Sequence, residues 1–92
     1  MRTTSYKFPL GQLVATPGAL DLITFEQVHD IIERHRTGDW GDMCDEDQRA
    51  NEQALVDGSR IFSAFNMSEH VRVWVITEAD RSATTILLPA EY

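Results

Sequence analysis

Ninety-two residues, 42% of them hydrophobic and 25% charged, leave room for one domain with a modest core, residues 1–92, and exclude a disordered chain. No apolar run approaches the ~20 residues of a membrane span, and no apolar signal region follows the charged N-terminus, so residues 1–8 read as a disordered tail. The net charge of −7, with one cysteine that has no internal partner, suits a reducing cytoplasm and opposes direct nucleic-acid binding, which needs clustered Lys and Arg.

Leu10–Thr16 reads as a short strand ended by Thr16-Pro17-Gly18; Pro17 equally suits the first position of a helical turn capped by Thr16. Thr24 and Gln27 form a capping box, with Ile23 and Val28 at the staple positions. Phe25, Val28, Ile31, Ile32 and His35 then recur at helical spacing, which predicts a helix over Phe25–Arg36 with that stripe facing the core. Gly38–Cys44 reads as a loop. Asp45 is the expected cap of a further helix, with Gln48 completing a box-like pair; its thin stripe of Ala50, Ala54 and Leu55 places it on the surface until Asp57-Gly58.

From Arg60 the period changes to two. Ile61, Ser63 and Phe65 alternate with Phe62 and Ala64, and Val71, Val73, Val75 and Thr77 alternate with Arg72, Trp74, Ile76 and Glu78. Thr84–Leu88 supplies the last strand. The connections are too short for parallel crossovers. The expected fold is α+β: N-terminal helices packed on a three- to four-stranded antiparallel meander, the first strand joining its edge.

Pro9–Leu20, Arg34–Gly41 and Val75–Ser82, followed by Thr85–Pro89, resemble a small family of bacterial plasmid, phage and integrative-element proteins over nearly the whole chain. The resemblance implies a mobile-element setting. It transfers no catalytic residue.

The candidate chemistry is sparse. His29 and His35 are six apart, wrong for two ligands on one helical face, so no metal and no cofactor is expected. Asp39, Asp42, Asp45 and Asp47 fail the calcium-loop pattern, because the third position from Asp39 is Gly41 and the sixth is Cys44. Acids surround Cys44 and oppose a reactive thiolate. A Ser63, His70 and Asp80 assembly lacks any nucleophile elbow. His35, near a helix C-terminus, reads as a residue that complements the helix dipole.

What stands out is charge. Met1–Gly38 sums to zero and Gly58–Tyr92 to −1, so the remaining −6 lies in Asp39–Asp57. Asp39, Asp42, Asp45, Glu46, Asp47 and Glu52, together with Trp40 as an aromatic anchor, form the candidate partner-binding surface; Trp40 as a lid on the core is the competing reading. Phe62, Trp74 and Ile76 form a candidate homodimer face, since the helices cover only one side of the sheet. Glu78, Asp80 and Arg81 form a charged turn cluster. The functional expectation is a non-enzymatic protein that binds a host or element-encoded partner with a basic surface, counter-defence being one form. The alternative is a RelE-like ribonuclease toxin, which shares only the coarse element order and would need Arg60, Arg72 and Arg81 to face RNA.

Overall fold

The computed structural model describes residues 6–92; residues 1–5 of the expected tail lie outside them. The rest of that tail is ordered. Phe8 is buried, and the Lys7 amide donates to the Arg36 carbonyl at 2.7 Å.

The elements run β1 (Gln12–Ala15), α1 (Pro17–Leu22), α2 (Phe25–Arg36), α3 (Asp45–Asp57), β2 (Ile61–Asn66), β3 (Arg72–Thr77) and β4 (Ala83–Leu87), then a 3-10 turn over Pro89–Glu91. The fold is α+β, with sheet order β1-β4-β3-β2. β2, β3 and β4 form the expected antiparallel meander, but β1 pairs parallel to β4, so the sheet is mixed. The antiparallel expectation rested on short connections, and these link only β2, β3 and β4. β1 reaches β4 across three helices and two strands, a connection long enough for parallel pairing. Nor are the helices simply N-terminal: they lie between β1 and the meander, and the 3-10 turn follows it.

Local chemistry explains the helix starts. Thr16 accepts from the Ala19 amide with Pro17 in the first turn, so strand and helical turn both form at this junction. The Thr24–Gln27 capping box is complete in both directions. α3 departs from expectation, because its N-cap is Cys44 with no side-chain bond, and Gln48 donates instead to the Met43 carbonyl at 2.9 Å.

α1 and α2 cover one face of the sheet, where Ala19, Ile23, Ile31 and Ile32 pack against Phe65, Val73, Val75 and Ile86. Phe25 is not part of this core; it is 86% exposed, nearly two helical turns before Ile31, the first buried residue of α2. A second cluster joins Phe8, Trp40, Ala54 and Ile61 beneath α3.

Candidate functional site

Three of the acids expected to face a partner hold the chain's own backbone and side chains. Asp39 accepts from Arg34 Nε at 2.8 Å and from the Gly41 amide at 3.1 Å, and the Arg34 guanidinium holds its carboxyl below the ordinary carboxylate value. Asp42 accepts from the Asn66 amide at 2.8 Å. Glu52 accepts from Trp40 Nε1 at 2.9 Å. Trp40 itself is 3% exposed, packed near Phe8 and His35. It is the lid, and its burial removes it as an exposed anchor.

These contacts have a common purpose at the β2 edge. Outward-facing amides of an edge strand invite pairing with another chain unless something covers them. Here the Ala64 amide donates to the Trp40 carbonyl at 3.2 Å, and the Asp42 backbone amide donates back to the Ala64 carbonyl at 2.7 Å. That bridge passes through Gly41 at φ +78, where a β-carbon would collide with the Ala64 carbonyl. One step along, Asn51 of α3 donates to the Phe62 carbonyl at 2.6 Å and accepts from the Phe62 amide at 3.1 Å. Sequence reasoning passed over Asn51; its signal is a polar residue three before Ala54 on the same thin stripe.

Changing Asp42 and Glu52 to Asn and Gln is therefore not neutral, as simple relief of like charge would make it. Asp42→Asn with Glu52→Gln should lower stability by about 1–3 kcal/mol in urea unfolding, since two charge-assisted hydrogen bonds weaken.

Asp45, Glu46 and Asp47 remain exposed in the first turn of α3, where they complement the helix dipole. Asp47 and Phe62, assigned from sequence to two different surfaces, line one shallow groove of about 680 Å³ between α3 and the second sheet face. Met43, Ala50 and Ala54 supply apolar lining, with Asp57 and Arg60 also on its wall.

The second sheet face is only partly open. Trp74 packs edge-on against Phe62 at 4.8 Å and against Tyr92 at 5.7 Å, while Ile76 is 4% exposed. Ile76 therefore drops out of the proposed dimer face, and the C-terminal residues fold over part of what remains. Glu91 fixes that segment by accepting from Thr16 Oγ1 at 2.6 Å and from the Leu88 amide at 2.9 Å.

In the turn cluster, Asp80 accepts from the Ser82 amide at 2.9 Å, as a turn aspartate should. Arg81 is less ordinary. It sits at φ 61 and donates to the carbonyls of Ser59 at 2.6 Å, Ala54 at 3.2 Å and Glu78 at 3.2 Å, docking the end of α3. Arg72 holds Asn66 Oδ1 and the Asp42 carbonyl, and Arg60 holds the Tyr92 hydroxyl.

Ser63 meets His35 rather than His70, and the resulting chain of bonds fixes every proton. Thr84 Oγ1 can only donate to the Leu10 carbonyl (2.7 Å), so Thr77 Oγ1 must donate to Thr84 (2.7 Å). Thr77 then accepts from His35 Nε2–H (2.9 Å), leaving Nδ1 bare to accept from Ser63 Oγ (2.5 Å). Burial pushes His35 down to about 3, so it stays neutral and does not act as a charged partner of the helix dipole. His35, Ser63, Thr77 and Thr84 are all buried, and no carboxylate belongs to the chain. The arrangement pins α2 to the sheet.

Among the described residues, no three His, Cys, Asp or Glu side chains converge as a metal site would require, and no helix is long and apolar enough to cross a membrane. No family model, curated protein or solved structure matches the chain.

Proposed function

We propose that this chain is a non-enzymatic binding protein that takes a basic, partly apolar segment of a nucleic-acid-handling protein into the groove between α3 and the second sheet face. The setting is a cytoplasmic mobile-element accessory role, with counter-defence as its concrete form. The observation that carries the reading is the groove, which sets Asp47 and Asp57 beside Met43, Ala50 and Phe62. Concentrated negative charge speeds encounter with a basic partner, and a desolvated apolar floor slows its release. The ribonuclease alternative has less support, because Arg60, Arg72 and Arg81 on the sheet and its turn each hold protein groups.

The test is affinity capture from cells that carry the gene, using wild type and the double variant Asp47→Lys, Ala50→Arg. Both residues are exposed, so the fold should survive. Wild type should recover a basic protein whose association slows as salt rises, and the variant should associate at least tenfold more slowly at low salt. Recovery of RNA or ribosomes, or equal association by both proteins, would overturn the proposal.

A further inference from the structure

The two edges of the sheet are treated differently. At β2, Asn51, Asp42 and the Trp40 carbonyl occupy the outward groups of Phe62, Ala64 and Asn66. At β1, the Gln12 amide donates to the Ser82 carbonyl at 2.9 Å and the Thr16 amide to the Ile86 carbonyl at 3.0 Å, so positions 12, 14 and 16 face β4. The alternation of a parallel ladder turns the N–H and C=O of Leu13 and Ala15 outward. Among the described residues, no hydrogen bond meets them. Leu13 is 48% and Val14 41% exposed, and the strand carries no charge, proline or lysine to discourage pairing.

We propose that β1 is a self-association edge, on which a second copy of this chain pairs antiparallel about a two-fold axis through Val14. The two four-stranded sheets would become one continuous sheet. Register follows from the outward groups. Centring on Val14 sets Leu13 opposite Ala15 of the second copy in both directions, and each such pair exchanges two hydrogen bonds. Centring on Ala15 would oppose Leu13 to Pro17, which has no N–H. Centring on Leu13 would require Gly11 in the ladder, but Gly11 sits at φ +65 outside extended space.

Charge selects the occupant. Phe8 to Leu20 contains no charged residue, whereas the segment that carries −6 lies by the β2 edge, on the far side of the sheet. A basic partner is drawn toward that segment. A second acidic copy is repelled there and meets least repulsion at β1, with the two acidic segments held at opposite ends of the joined sheet. This pairing leaves the α3 groove open and does not depend on it.

Sedimentation equilibrium across the micromolar range tests the idea together with a covalent trap. Wild type should show twice the mass of the 10.5 kDa chain, and Val14→Lys should be monomeric with an unchanged far-ultraviolet spectrum. On the two-fold axis the facing Val14 residues form a non-hydrogen-bonded pair whose Cα atoms are about 4.5 Å apart, within disulfide reach. In a Cys44→Ser background, Val14→Cys should therefore oxidise to a disulfide dimer, and Gln12→Cys should not. A monomeric wild type would overturn the proposal, whatever other strand then proved to fill the edge. Val14→Cys crosslinking no faster than Gln12→Cys would also overturn it.

Discussion

Between pH 6.5 and 4.5 the fold should lose about 2–2.5 kcal/mol of stability through a single group, His35. Burial holds its imidazole neutral, pushing it from 6.5 down to about 3, while the unfolded chain takes up the proton at the ordinary histidine value. The unfolded state thus binds more protons throughout that window, so stability rises with pH across it. The contribution is fully present above pH 6.5 and is lost as pH falls toward 3, reaching about 4–5 kcal/mol there. Asp39, Asp57, Asp80 and Glu91, each held below its ordinary value, act in the same direction only below about pH 4.5, so the upper window isolates the histidine. Urea unfolding at the two pH values measures the loss, and nuclear magnetic resonance should show the His35 ring unprotonated down to pH 4.5. His35→Leu should abolish the slope. It should also cost about 1–3 kcal/mol for the Ser63 hydroxyl left without its partner, and less at Thr77, whose hydroxyl still donates to Thr84. A flat profile for wild type, or an imidazole that titrates near 6, would show that the buried chain of bonds is wrongly described.

That chain also marks how far the sequence could be read. The α2 stripe is legible because Thr24, Gln27, Ile31 and Ile32 all signal the same helix, and the period-two alternation gives β2, β3 and β4 with their inward faces. His35 continues the Ile31–Ile32 stripe, and Ser63, Thr77 and Thr84 occupy inward strand positions, so the buried polar line was present as a pattern. It was hard to assign because it is not local: His35 bonds residues 28 and 42 positions away. The parallel pairing of β1 escaped for the same reason, as periodicity defines faces and leaves the partners of a non-sequential strand open. Within the acidic segment, composition shows the crowding of Asp39–Asp57. It does not separate Asp39, Asp42 and Glu52, which hold backbone and indole N–H groups or an arginine, from Asp45, Glu46 and Asp47, which face solvent.

Asn51 is the residue whose loss should matter most at the β2 edge. Its buried amide meets both the N–H and the C=O of Phe62, which would otherwise face the groove unpaired. Asn51→Ala should cost about 2–4 kcal/mol, one lost bond being short and both strand groups left without their partner. Asn51→Asp separates the two bonds. Its carboxylate can still accept from the Phe62 amide, but at neutral pH an anion would face the Phe62 carbonyl where the side-chain donor had been. Burial beside that carbonyl would raise the new carboxyl above the unfolded value of about 3.9, since only its protonated form can donate. The sign is then opposite to that of His35: the deficit relative to wild type should be largest near pH 7 and shrink as pH falls toward 4.5. Taking the difference between variant and wild type at each pH removes the histidine slope common to both. The uncovered edge adds a second readout, because Asn51→Ala frees strand groups at the edge opposite β1 and should form assemblies larger than those of wild type at the same concentration. Equal unfolding midpoints for all three proteins at pH 7, with a pH-independent gap, would mean that the α3 amide is not what holds this edge.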